Sequence, residues 1–143
     1  MEPVLGAAEV EAYLDEVFPQ VRGRFRILEL GEMRLSCEMA VTDADLRPGG
    51  TVSGPAMFTA ADCAFYMLTL AMIGREALTV TTGATINFMR KPRPGPIRAE
   101  ARLLKLGRSL SVGDVLLYSD GVAAPVAQAS LTYSIPPKRG QGG

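Results

Sequence analysis

The chain has no histidine and no tryptophan among its 143 residues, and only two cysteines. Without an imidazole base, Ser–His–Asp and Cys–His nucleophilic mechanisms are excluded. Cys37 and Cys63 lie far apart in sequence, with no further soft ligands to complete a tetrahedral site, so no metal is expected and no cofactor is called for. Two cysteines make no disulfide framework, which fits a reducing cytoplasm, the expected location. Neither sign of charge is in excess. Fifteen Lys and Arg balance 15 Asp and Glu, so no net field recruits nucleic acid or an anionic membrane. The N-terminal run MEPVLGAAEVEAYLD lacks the basic and apolar regions of a signal peptide.

What is present is the composition of a folded globular protein, 48% hydrophobic and 21% charged. We read one domain over residues 1–135, followed by a tail, PPKRGQGG (136–143), expected to be disordered. The chain is organised around SGPAMFTAADCAFYMLTLAMIG, Ser53 to Gly74. Pro55 suits a first helical turn and Gly74 suits a stop. The helix is apolar almost all round, so it is buried or spans a membrane. Asp62 at mid-helix is costly in lipid and strand-like sequence follows, so we read a core helix and no membrane association. Its polar residues Thr59, Asp62, Tyr66 and Thr69 fall at three-four-three spacing, on one narrow stripe. Cys63 lies about 100° away from Asp62 around the helix and reads as a small buried hydrophobe.

Around this helix the pattern turns to strands. An amphipathic helix from Ala7 to Phe18 ends at Pro19. Arg24–Leu30 and Met33–Thr42 form a hairpin turning at Gly31-Glu32. In Leu78–Phe88 the even positions Leu78, Val80, Thr82, Ala84, Ile86 and Phe88 form one face and Thr79, Thr81, Thr85 and Asn87 the other. Ile97–Leu106, Leu110–Tyr118 and Val122–Ile135 complete the strands, with Asp120-Gly121 as a hairpin signal. A flat sheet cannot cover a helix that is apolar on nearly every side. The expected class is therefore α+β: a curved antiparallel sheet wrapped around one long central helix, plus a short N-terminal helix. Residual apolar surface would be closed by a second subunit, which predicts a homodimer or homotetramer.

Several runs then carry a resemblance. Arg47-Pro48-Gly49-Gly50-Thr51-Val52-Ser53-Gly54-Pro55 precedes Ala60-Ala61-Asp62, and Ile86-Asn87-Phe88-Met89-Arg90-Lys91-Pro92 exits in a basic, proline-bearing turn. Ala99-Glu100-Ala101, Gly107-Arg108-Ser109, Asp120-Gly121 and Ala127-x-Ala129 follow in order. From roughly Phe25 to Ile135 the chain resembles the PaaI-like acyl-CoA thioesterases of the hotdog fold. Their pattern is Asn-x-x-Gly-x-x-His-Gly-Gly before a helix bearing Leu-Ala-Asp. Arg47 stands where that family often has Asn, Ser53 where it has His, and Pro55 where it has the second Gly.

The resemblance implies an acyl-CoA or related thioester as substrate. It also implies that Asp62 activates water or attacks the thioester carbonyl, while the Gly54 N–H at the helix N-terminus holds the oxyanion across a dimer interface. Alternatively, Asp62 is a structural carboxylate bonded to a threonine or to backbone. Ser53 reads as an N-cap, or as a group orienting water or the carbonyl. Tyr66 and Thr69 line an acyl pocket or satisfy one another in the core. Arg47 and Asn87 are further substrate-binding candidates. Arg90, Lys91, Arg93 and Arg108 are the basic residues suited to coenzyme A phosphates, or form solvated turns. The rival functional class is a non-catalytic hotdog protein that binds an acyl or CoA-type ligand. A hotdog dehydratase is weaker, because that chemistry leans on a histidine the chain does not contain.

Overall fold

The computed structural model describes residues 1–137, so the expected disordered tail lies, from residue 138 on, outside the described residues. Helix α1 spans Ala7–Val17 and helix α2 spans Gly54–Ile73. The strands are β1 (Phe25–Gly31), β2 (Arg34–Met39), β3 (Val80–Phe88), β4 (Ile97–Leu106), β5 (Leu110–Ser119) and β6 (Ala127–Ser134). They form one antiparallel sheet in the order β1-β2-β4-β5-β6-β3, with α2 lying across β2, β4, β5 and β6.

Helix α2 starts and stops as its sequence dictates. The Ser53 hydroxyl accepts from the Ala56 N–H at 3.2 Å, capping an orphan donor of the first turn. Gly74 closes the helix at φ 104°, a conformation that favours glycine. Between them Ala60, Ala61, Ala64, Phe65, Met67, Leu68, Leu70 and Ala71 have no exposed surface. The helix is long and apolar enough to cross a membrane, but its circumference is consumed by its own sheet. Val10 and Leu14 of α1 close one flank, and the Val4 and Leu5 N–H groups donate to Ala71 O at 2.8 and 3.2 Å near the C-terminal end.

The structure differs from the sequence pattern at three places that matter. The first hairpin turns at Glu32-Met33, with Met33 at φ 60°, one residue later than expected. The last strand starts at Ala127, because Pro125 and its neighbours run irregularly before Val126 donates to Leu117 O. Most important, β3 does not keep one parity. Its register with β6 slips between Thr81 and Gly83, a β-bulge. Before the bulge the odd residues face α2: Thr79 is buried and Thr81 bonds to the helix, while Leu78 and Val80 are 72% and 56% exposed. After it the even residues turn inward, with Ile86 against the core and Phe88 against Gly54.

β3 is also a sheet edge, bonded to β6 on one side only. Phe88 and Met89 at its end are 53% and 45% exposed. A nine-residue unpaired edge with Val80 and Phe88 exposed is a template for pairing.

Candidate active site

Asp62 sits where α2, α1 and the start of β3 meet. It lines a cavity of about 240 Å³ with Val17, Phe18, Cys63, Tyr66, Ala77, Thr79, Val80, Thr81 and Tyr133. Its Oδ1 accepts from Thr81 Oγ1 at 2.8 Å and from the Tyr133 hydroxyl at 2.6 Å. The same Tyr133 hydroxyl lies 2.8 Å from the Asp62 carbonyl oxygen. Oδ2 takes no hydrogen bond from the described residues, and among them no Lys or Arg forms an ion pair with Asp62. The arrangement is a half-buried carboxylate with one oxygen held and the other open to the cavity.

Tyr133 is fixed from several sides. Phe65 packs edge-on to its ring at 5.2 Å between centroids, and Tyr66 lies at 6.1 Å. Burial, then the Asp62 charge and hydrogen bond, push the Tyr133 phenol far above its ordinary value, so it stays a donor. One turn beyond Asp62, the Tyr66 hydroxyl donates to Ala77 O at 2.9 Å, and burial lifts its pKa to about 12. The Thr79 hydroxyl in the cavity wall is buried without a partner among the described residues.

The sequence candidates sort by position. Asp62 and Tyr66 share the cavity; Thr69 does not, being fully enclosed and bonded to Ser111 Oγ at 2.9 Å. Asn87 faces outward from the sheet, where its amide donates to Gln128 Oε1 at 3.0 Å. Arg47 lies exposed in the loop before α2, whose backbone closes through Arg47 N–H to Thr51 O. Ser53 is the N-cap. The Gly54 N–H, in the first turn, has no acceptor among the described residues.

The basic residues do not form one cluster. Arg90, Lys91 and Arg93 follow β3 at the end where Phe88 meets Gly54. Arg108 lies in the β4–β5 turn, at the opposite end of those strands. The ten residues of β4 separate the two places by about 30 Å at 3.3 Å per residue. The turn sequence Gly107-Arg108-Ser109 reads as basic, but strand direction carries it away.

Thr81, Tyr133 and Thr79 were not anticipated from sequence. By alternation Thr81 falls on the face of the strand opposite Ile86 and Phe88. The one signal against that was Gly83, since a glycine inside a strand marks a bulge. Tyr133 is 71 residues from Asp62 and joins it only through the β3–β6 pairing.

Cys37 and Cys63 are both buried, and burial pushes each thiol up to about 12 from 9.0. Native protein should therefore leave a colourimetric thiol reagent unconsumed at pH 8, where the thiolate is scarce, and react only after unfolding. Because both folded-state values are raised, the folded chain keeps protons that the unfolded chain releases. Their contribution to stability is complete below about pH 9 and is lost as pH rises toward 12, so the melting temperature should fall across that interval.

Residues 49–126 match the family model of the thioesterase superfamily. A solved structure from Silicibacter sp., named as a thioesterase, is 54% identical, covers 96% of each chain and superposes with a TM-score of 0.88. A thioesterase described as phenylacetic acid degradation-related, from Ralstonia eutropha, is 26% identical, covers 86% of this chain and 98% of its own, and has a TM-score of 0.75. A protein of Saccharolobus solfataricus named as an esterase is 31% identical over 137 residues, 93% of this chain and 87% of that one. With a six-stranded sheet around one central helix and these relatives, the chain belongs to the thioesterase superfamily and is a PaaI-like hotdog thioesterase.

Proposed function

We propose that the protein hydrolyses acyl-CoA thioesters with Asp62 as general base and the Gly54 N–H as oxyanion donor, the two supplied by different subunits. The observation that carries this reading is the open Oδ2 of Asp62 at the wall of a cavity with mainly apolar sides. Water placed between Oδ2 and the thioester carbonyl gives its proton to Oδ2 as its oxygen bonds to carbon. The oxyanion is held by an N–H at the positive end of α2. Collapse breaks the C–S bond, and the proton on Asp62 passes to the leaving thiolate. Direct attack by Asp62 would instead form a mixed anhydride as the C–S bond breaks, and attack of water at its aspartyl carbon would leave labelled oxygen in the carboxylate after a single turnover.

The two-subunit arrangement follows from helix geometry. Asp62 lies eight residues beyond Gly54, about 12 Å along the axis at 1.5 Å per residue, too far for both to serve one carbonyl. The unpaired β3 edge, with Val80, Phe88 and Met89 exposed, supports a homodimer formed by edge pairing, which light scattering on the purified protein should register.

Mixing subunits tests the scheme. Gly54→Pro deletes the N–H at a position where proline suits a helix start. Asp62→Asn and Gly54→Pro homodimers should each be inactive against a panel of acyl-CoAs. Unfolded and refolded together, they should recover about a quarter of wild-type thiol release, because half the dimers are mixed and each holds one intact site. No recovery would refute the shared site. Ligand binding by calorimetry with no thiol release from the wild type would identify the non-catalytic alternative.

Arg90, Lys91 and Arg93 follow Phe88, which packs on Gly54 at the helix N-terminus, and they would meet the phosphates of a coenzyme A tail entering there. Lys91→Glu should raise KM for an acyl-CoA about three- to tenfold while leaving KM for the phosphate-free pantetheine thioester unchanged, as expected for an exposed charge contact.

A further inference from the structure

Two hydroxyls converge on one carboxylate oxygen, and neither was part of the chemistry above. We propose that Thr81 and Tyr133 are positioning residues that occupy Asp62 Oδ1 and thereby aim Oδ2 at the thioester. The inference rests on the reading of Asp62 as the base.

The geometry is that of a fix from two directions. Thr81 reaches Oδ1 from β3 at 2.8 Å and Tyr133 reaches it from β6 at 2.6 Å, and the two residues are register partners across that strand pair. A carboxylate on a helix can turn about its terminal torsion over a broad range. Two donors on the same oxygen stop that rotation, since any large turn breaks both bonds. The donors are themselves held. Tyr133 is 2% exposed, braced by Phe65 and Tyr66, and its hydroxyl also meets the Asp62 carbonyl oxygen. Thr81 faces inward only because the bulge after it reverses the parity of β3. A bulge that turns a threonine out of the alternating pattern and onto the one carboxylate of the core helix is the local irregularity that bulges supply beside active sites.

A purely structural role predicts something else. If the hydroxyls only satisfy buried polar groups, their removal lowers stability and distorts the cavity, so ligand binding weakens along with turnover. If they aim Oδ2, removal lowers turnover alone, because the bound ground state does not need the carboxylate's orientation.

The test compares Tyr133→Phe, Thr81→Val and Thr81→Ser with wild type and Asp62→Asn. Steady-state kinetics are measured on one acyl-CoA, with calorimetry on its non-hydrolysable thioether analogue. We expect Tyr133→Phe and Thr81→Val each to lower kcat about 10- to 100-fold, in line with small misplacements of a reacting group. KM and the Kd for the analogue should stay within about threefold, the margin of a lost ground-state contact. Thr81→Ser, which keeps a hydroxyl, should regain most of kcat. Should Tyr133→Phe fail to fold, Thr81→Val decides, because Thr81 is half-exposed on an edge strand. A kcat near wild type in both hydroxyl variants while Asp62→Asn is inactive overturns this inference and spares the base. Parallel loss of kcat and analogue binding also overturns it. An active Asp62→Asn overturns the underlying reading itself.

Discussion

Asp62→Asn is expected to lower kcat/KM for acyl-CoA hydrolysis by about a thousandfold or more, the upper range for loss of a positioned general base. Asparagine is the informative replacement. Its amide oxygen can still accept from Thr81 and Tyr133 at the place of Oδ1, so the cavity keeps its shape. What is lost is the basic oxygen opposite. Asp62→Ala would also abolish turnover, but it would take the Oδ1 acceptor from Thr81 and Tyr133 and leave the buried Tyr133 hydroxyl the backbone carbonyl of residue 62. That variant mixes loss of chemistry with loss of hydrogen bonds to a charged group, worth about 1.5–3 kcal/mol each. Thiol release by the asparagine variant, with its melting temperature alongside, separates the two effects. Turnover within tenfold of wild type at unchanged stability would remove Asp62 from the chemistry.

The importance of that carboxylate was legible in the sequence because two independent patterns met on it. An apolar helix with one charge stands out on composition alone, and with no histidine in the chain few other bases remain. The helix bounds were legible too, since Ser53, Pro55 and Gly74 are local signals with local causes. What was not legible is what the sheet brings to Asp62 from far away. Alternation put Thr81 on the face opposite Ile86 and Phe88, and one bulge turns all three inward. Spacing on the helix placed Thr69 with Asp62, but the separation of seven residues, a rise of about 10 Å at 1.5 Å per residue, carries it to Ser111 on β5 instead. Arg108 is similar in kind to Arg90 and Lys91 but sits at the other end of a ten-residue strand. Periodicity along one element says which face a residue takes. It does not say which neighbour waits on that face, and the chemistry of Asp62 depends on the neighbours.

Gly113→Ala is expected to be the most damaging single methyl group that can be added to this chain, at least about 3 kcal/mol and enough to lower the melting temperature by roughly 10 °C. A Cβ at Gly113 would lie 2.1 Å from the Arg102 carbonyl oxygen and 2.5 Å from Phe65 Cε1. Neither can yield cheaply. Arg102 belongs to β4, paired to β5 through Asp114 beside the glycine, and Phe65 is fully buried in α2. The backbone at Gly113 is not in the left-handed region, so the requirement is for space rather than for an unusual torsion. Against a typical total of 5–15 kcal/mol, a cost of this size leaves a marginal fold. The consequence reaches the active site by a short route. Phe65 is the edge-on brace of Tyr133, and Tyr133 holds Asp62. At a temperature where Gly113→Ala remains folded, kcat should therefore also fall, because a displaced Phe65 releases the Tyr133 ring. Urea unfolding and steady-state kinetics on the same preparation measure both effects. A variant with wild-type stability would show that the sheet relaxes around the methyl, and it would remove the packing argument that ties the core to the carboxylate.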